Sequence, residues 1–480
     1  MFSPELDAVV PMLCVTLAAL ASMGAEAFRG DNERLPIGGL GIVGLAGAAV
    51  SSLLLWNRSA SGFGVIQADN FGLFVTLTLV AVGVLTILFS APVLERNAIP
   101  AGEYYSLVLF AIVGMMMMAT ASDLLVVFVA LEILSLAVYV LTAIRRNNHA
   151  GTEGAFKYFL LGAFSSAFFL YGIAFTYGVA GSTKLSAIGA YLSAQALSSN
   201  PLILVAMALL LVGFAFKISA VPFHMWTPDA YEGAPAVVTG FMSTGVKAAA
   251  FAAFARVFLS AFEPFKADWA PVVAVIAALT MILGTVVGVA QTNLKRMLAD
   301  SSIAHGGYLL VGLVAANDIG KAAILFYLLA YSVTNLAAFG AIALLGARDR
   351  ANDELRDYAG LWHSHPALAA LVTVCLLSLG GLPPTVGFIG KWYIFSAAVS
   401  SGYYGLAIIG MLTSVISVFF YLRVVVMMYM SDRDGATAAP GQVTGIGMAA
   451  LTIAIIAIFY LGVLPTRVLD LAAASIATIF

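Results

Sequence analysis

Apolar residues run for about 17 to 28 positions at a time along nearly the whole chain, separated by short polar connections, and the runs show no period-two alternation. About 20 helical residues rising about 1.5 Å each cross a roughly 30 Å hydrocarbon core, whereas a membrane barrel requires alternation. The pattern predicts fourteen spans, over roughly 6–24, 36–56, 71–90, 104–121, 123–144, 153–178, 201–221, 235–259, 270–290, 299–315, 320–346, 366–399, 402–430 and 443–463. The expected fold class is therefore an all-α polytopic membrane protein. Acidic Glu5 and Asp7, not a basic segment, precede the first run, so it is read as a span and not as a cleaved signal.

Two spans are interrupted. Pro222 breaks the seventh, and Gly380-Gly-Leu-Pro-Pro breaks the twelfth. Proline removes a backbone donor and frees carbonyls that only protein or a wet cavity can satisfy at membrane depth. Counted from span four, each break falls in the fourth helix of a five-helix unit. An odd number of spans per unit turns the second unit over, which is the inverted-repeat layout of many secondary transporters. The expected division is a three-helix segment over 1–103, a first five-helix repeat over 104–260, a second over 261–430, and a C-terminal helix and tail over 431–480.

Composition agrees with this class. The 480 residues are 62% hydrophobic and only 10% charged, far from a soluble domain. A net charge of −2 without any basic block excludes a nucleic-acid surface. Cys14 and Cys375 lie in apolar runs without ligand spacing, so neither a metal nor an iron–sulfur cluster is expected in this chain. Connections after odd-numbered spans hold twelve Lys and Arg, among them Arg29, Arg34, Arg145, Arg146, Arg348, Arg350 and Arg433; those after even-numbered spans, with the tail, hold five. That asymmetry predicts both termini on the outer face.

Five cations remain inside spans: Lys157, Lys217, Lys247, Arg256 and Lys391. Lys157 stands four residues after Glu153, the spacing of an ordinary stabilising pair. Arg256 lies near the outer end of its span and is read as snorkelling to the interface. The remaining three lysines, with Glu132 near the middle of span five, are ionisable groups at depths where a charge is expensive, and such groups mark ion or proton paths. A lysine balanced between desolvation and a carboxylate loads or releases a proton when its partner moves. His224, beside the first break, and His305 are candidate relays between lysines because histidine titrates near neutrality. Asp229 and Glu232 suit either interface anchoring or proton uptake. Met115 to Met118 suggest adaptable packing.

Three stretches carry a resemblance: Phe216-Lys-Ile-Ser-Ala-Val-Pro-Phe-His-Met-Trp-Thr-Pro-Asp-Ala-Tyr-Glu-Gly-Ala-Pro, Asn293-Leu-Lys-Arg-Met-Leu-Ala-Asp-Ser-Ser-Ile-Ala-His-Gly-Gly-Tyr and Gly381-Leu-Pro-Pro-Thr-Val-Gly-Phe-Ile-Gly-Lys. They resemble the antiporter-like subunits of respiratory complex I, over essentially the whole chain. Lys157-Tyr-Phe-Leu-Leu-Gly-Ala-Phe-Ser-Ser-Ala, Lys391 in place of glutamate, and the lack of a long C-terminal extension resemble the N-type among them. The resemblance implies a coupled Glu132–Lys217 pair, Lys247 as central relay, Lys391 as far-side residue, and a further role for Lys295. It also implies complex I membrane subunits and antiporter-like neighbours as partners, in the bilayer of a bacterial inner membrane. FMN, iron–sulfur clusters, NADH and quinone would belong to other subunits. Asp300 departs from the family pattern, in which tyrosine often precedes Ser-Ser-Ile. A cation/proton antiporter subunit and a purely structural membrane-arm segment are the alternatives.

Overall fold

The chain is described here by a computed structural model over residues 4–28, 36–194, 201–346, 353–432 and 444–479. Arg29, Arg34, Arg348, Arg350 and Arg433 of the charge asymmetry fall outside these residues. The chain opens with α1 Val10–Ala27, α2 Ile37–Leu55 and α3 Asn70–Asn97, the last two joined through a small hairpin of Ala60–Gly62 with Ile66–Ala68. A first unit follows: α4 Ala101–Thr120, α5 Leu124–Thr142, α6 His149–Ala180, the interrupted pair α7 Pro201–Lys217 and α8 Thr227–Gly233, and α9 Ala236–Ala261. The second unit is α10 Lys266–Ala290, α11 Leu294–Ala315, α12 Asp318–Leu345, the interrupted pair α13 Pro366–Gly380 and α14 Val386–Ser400, and α15 Tyr404–Met430. Helices α16 Gly445–Val463 and α17 Thr466–Ile476 close the chain.

Among the described residues, twelve helices are long and apolar enough to cross a membrane. The seventh and twelfth expected spans are not among them, because each resolves into two shorter helices on either side of its break. Other ends differ from the sequence pattern because polar caps set them. Asn293 begins α11 by accepting from Arg296 N at 3.1 Å, and Asn317 begins α12 by accepting from Gly320 N at 2.7 Å, each satisfying an orphan donor of the first turn. The interruptions are closed internally too. Val221 N donates to Thr280 Oγ1 at 3.0 Å, and Trp226 Nε1 donates to Phe216 O at 3.2 Å.

Two local geometries recur with the same offset. Asp123 bridges Lys184, and 170 residues further on (123 to 293, 184 to 354) Asn293 bridges Glu354. A Cβ on Gly114 would lie 2.7 Å from Leu134 N and 2.9 Å from Ala130 O; on Gly284, again 170 residues later, it would lie 2.7 Å from Ala304 N and 2.8 Å from Asp300 O. Glycine is required at both because the backbones of α4 and α5, and of α10 and α11, touch there. Close approach through small residues replaces the hydrophobic effect as the cement between helices in lipid.

Burial sorts the helices into layers. Helices α9, α11 and α12 are enclosed almost throughout, while α1, α2 and α6 leave broad apolar faces open, with Leu17, Val43 and Phe164 each more than 60% exposed. In lipid these faces need no cover. The enclosed helices carry Lys247, Lys295, Asp300 and His305, so the fold itself takes the polar groups to its axis.

Candidate functional site

Lys217 ends α7 at the first interruption. It is 3% exposed, and its ammonium donates to Ser135 Oγ at 2.7 Å and Tyr158 OH at 3.3 Å, with the Tyr158 ring centroid 5.3 Å away. Tyr158 is fixed by stacking on Trp226, with centroids 3.9 Å apart. Glu132, one turn before Ser135 on α5, instead accepts from Ser166 Oγ of α6. The expected Glu132–Lys217 pair is therefore not a direct ion pair: among the described residues, neither has an opposite charge within 4.0 Å.

Lys247 lies inside α9 between two π-helical turns, Met242–Val246 and Val257–Ala261. Such turns widen the backbone and recur at functional sites. The ammonium, 2% exposed, donates to the backbone carbonyl and, at 2.7 Å, to the hydroxyl of Ser302 on α11, and sits 5.6 Å from the Tyr331 ring centroid. By the 170-residue offset Ser302 is the counterpart of Glu132 (132 to 302), so the second unit presents a hydroxyl where the first presents a carboxylate.

Lys391, 4% exposed on α14, reaches back across the second interruption. Its ammonium donates to Leu379 O at 2.9 Å, Gly380 O at 3.0 Å and Ser414 Oγ at 2.8 Å. The carbonyls are the free C-terminal acceptors of α13, the negative end of that helix dipole. Its other neighbour is the Tyr308 ring, 5.2 Å away. His305 stands beside these groups on α11, its ring 5.4 Å from Tyr308 and 5.0 Å from Tyr331, the two aromatics that face Lys391 and Lys247 respectively. Its Nδ1 is 2.7 Å from Tyr327 OH, and its Nε2 is 3.4 Å from Tyr421 OH. Lys247, His305 and Lys391 are thus brought together through a shared aromatic and hydroxyl wall.

The other candidates lie elsewhere. His224 sits in the first interruption; among the described residues its buried Nδ1 has no hydrogen-bond partner, and no hydrogen bond links it to a lysine. Lys295 donates to Glu232 O at 2.6 Å and Ala234 O at 2.9 Å, capping α8, and pairs with Asp353 at 3.2 Å. It ties the two units together and stands apart from the lysine row. Lys157 pairs with Glu153 at 2.7 Å as its spacing foretold, and also with Asp229 at 2.7 Å; Arg296 then joins Asp229 and Glu232 at 2.9 and 2.6 Å.

Arg256 corrects the sequence reading. It does not snorkel; it is 4% exposed and meets Asp69 through two contacts of 2.7 and 2.8 Å, with Nε donating to Ala119 O at 3.2 Å. Asp69 also caps α3 by accepting from Gly72 N at 2.8 Å. This pair, together with Ser135, Ser166, Ser302 and Ser414, escaped the sequence reading. The one available signal was a lone aspartate placed just before an apolar run, the position of a helix cap. Among the described residues, no group of histidine, cysteine and carboxylate side chains is arranged to hold a metal ion.

Residues 121–417 match the family described as NADH:quinone oxidoreductase/Mrp antiporter, TM. NADH-quinone oxidoreductase subunit N of Trichlorobacter lovleyi is 43% identical over 431 residues, covering 90% of this chain and 88% of that one. A chain of respiratory complex I from Thermus thermophilus superposes with a TM-score of 0.82 at 35% identity, covering 96% of this chain and 99% of that one. A chain of the Mrp complex from Dietzia sp. DQ12-45-1b shares the fold, with a TM-score of 0.80 at 22% identity over 99% and 95% of the two chains.

Proposed function

The chain belongs to the NADH:quinone oxidoreductase/Mrp antiporter membrane family, among the antiporter-like subunits of type N, and we propose that it moves protons through Lys217, Lys247 and Lys391 in the membrane arm of a bacterial NADH:quinone oxidoreductase. One observation carries this reading. Each of the three lysines is buried, held by neutral oxygens, and without an acidic group within 4.0 Å among the described residues. A permanently charged ammonium in such a place is uncompensated, whereas a group that exchanges its proton occupies it only part of the time.

The mechanism follows from the contacts. Glu132 of α5 is held by the Ser166 hydroxyl of α6, and Lys217 of α7 by the Ser135 hydroxyl one turn from Glu132 on α5, so a shift of α5 relative to α6 and α7 changes their separation and the proton affinity of the lysine. A proton released by Lys217 passes toward Lys247, and from there along the wall of Tyr331, His305 and Tyr308 to Lys391. The driving charge change originates in the subunits that bind quinone. FMN, iron–sulfur and NADH chemistry also belongs to those other subunits, and this chain works as a translocating part of the oxidoreductase in the bacterial inner membrane. Neighbouring antiporter-like subunits cover the open apolar faces, and both termini lie on the periplasmic side.

The shared fold with the Mrp chain keeps a cation/proton antiporter as second reading, but the 43% identity to a subunit N favours the first. Lys247→Arg is the test. Arginine keeps the charge but, with a pKa above about 12, does not give up its proton. In assembled complex, NADH-driven proton pumping in Lys247→Arg is expected to fall nearly as far as in Lys247→Ala. Full pumping with arginine would remove the relay and leave Lys247 as a charge-balancing or carbonyl-capping group.

A further inference from the structure

The second unit lacks a carboxylate at the position of Glu132, yet a buried acid stands two residues earlier on the same helix, and the lysine route uses no part of it. Asp300 is 1% exposed, and its hydrogen-bond partner among the described residues is the Gln291 amide, whose Nε2 donates to Oδ2 at 2.8 Å. Gln291 itself is partly exposed, at the turn between α10 and α11. The adjacent Ser301 hydroxyl is hydrogen-bonded to Tyr421 OH of α15, and Tyr421 OH approaches His305 Nε2. Asp300 is thus held by a polar group at the rim, and the residue after it along α11 begins the hydroxyl pair that leads to the central histidine. Six residues into α11, it is about 9 Å along the helix axis from Leu294.

The charged and titratable groups around it are Arg296 on α11, already engaged with Asp229 and Glu232, and Tyr421 and Arg423 on α15. Arg423 donates to Val289 O at 3.1 Å and to Gln291 O, and so holds the turn and not the carboxylate. Gly288 faces Asp300 from α10, where an added Cβ would lie 3.5 Å from the Asp300 Cβ. Among the described residues, no cation lies within 4.0 Å of Asp300 to fix it as an ion pair.

We infer that Asp300 is the proton-uptake group of the second unit, taking protons at the Gln291 rim and passing them by way of the Ser301–Tyr421 hydroxyls to His305. In the step, an O–H bond forms on the Asp300 carboxylate with a proton from rim water. That bond then breaks as a hydroxyl of the Ser301–Tyr421 pair accepts the proton and releases its own toward the imidazole. No other reactant is consumed. The inference rests on the lysine-relay reading and adds to it a separate inlet for Lys391.

The experiment compares Asp300→Asn, which keeps the acceptor for Gln291 but no exchangeable carboxyl proton, with Asp300→Glu, in inverted membranes at matched assembly. NADH-driven pumping is expected to fall severalfold in Asp300→Asn and to recover in Asp300→Glu with a displaced pH profile. Wild-type pumping and pH profile in Asp300→Asn would overturn the inference. If Asp300→Asn does not assemble, Gln291→Ala is read instead: a shifted pH profile supports the inlet, and an unchanged one overturns it. Lys391→Ala, measured in parallel, separates the two layers. Normal pumping there would overturn the relay reading itself, whereas loss in Lys391→Ala with none in Asp300→Asn sinks only the inlet.

Discussion

Lys217 and Glu132 do not touch: the ammonium is held by Ser135, one turn along α5 from Glu132, while the carboxylate is held by Ser166 on α6. The pair is open, and each half has a hydroxyl to keep it so. A buried acid and base that met directly would stabilise one fixed state, whereas groups parked on neighbouring hydroxyls can close when the helices shift.

Ser135→Ala removes one of the two hydroxyl partners that keep Lys217 in place. A hydrogen bond to a charged group contributes about 1.5–3 kcal/mol. Proton pumping in assembled complex is expected to drop severalfold, though less than in Lys217→Ala, which deletes the titrating group. Unchanged pumping in Ser135→Ala would show that the hydroxyl does not control the lysine.

How much of this was legible in the sequence follows from what a one-dimensional pattern can hold. Glu132, Lys217, Lys247 and Lys391 stand out because each is a lone charge in an apolar run, and the proline breaks stand out because proline ends helices whatever surrounds it. The hydroxyls that hold those charges do not, since Ser135 and Ser302 look like any serine able to satisfy its own helix. The partner of Arg256 is hidden for a related reason: Asp69 lies 187 residues away along the chain, and depth alone cannot show such a pairing. The π-helical turns around Lys247 left no mark either, because their composition is that of an ordinary helix. The paired breaks, by contrast, are legible in the sequence, and the recurrence at 170 residues relates the two stretches of backbone that contain them.

The Arg256–Asp69 pair sets a stability prediction. Removing one partner of a buried ion pair leaves the other uncompensated and costs about 3–5 kcal/mol. Arg256→Met is expected to lower the melting temperature of purified complex in nanodiscs. Adding Asp69→Asn, which removes the stranded charge but keeps an acceptor for the α3 cap, should restore part of the loss. A loss in the double variant equal to the sum of those in Arg256→Met and Asp69→Asn alone would show that the two residues are not coupled.

Orientation follows from the Lys and Arg asymmetry and is open to labelling. A cysteine placed beside Arg146, whose side chain is 85% exposed, is expected to be shielded from an impermeant thiol reagent added outside intact cells. One beside the exposed Lys184 should react. The reverse pattern would place both termini in the cytoplasm and invert the direction of the route. Arg350, counted on the same face as Arg146, lies outside the described residues, so Arg146 carries this test.

Gly306 offers the sharpest check on the passage between the first interruption and the centre. A Cβ there would lie 3.2 Å from Ile218 O and 3.6 Å from Lys247 Nζ, so the missing side chain leaves open the space between the residue after Lys217 and the Lys247 ammonium. No contact is shorter than 3.0 Å, so Gly306→Ala is expected to fold and assemble with small adjustments. A proton path depends on water bridges where side chains do not meet, and if one runs through this gap a methyl group there interrupts it. Pumping should therefore fall severalfold while the melting temperature of the complex changes little. Gly306→Ala with full pumping would mean that protons do not cross at this point, and the transfer from Lys217 to Lys247 would have to be abandoned.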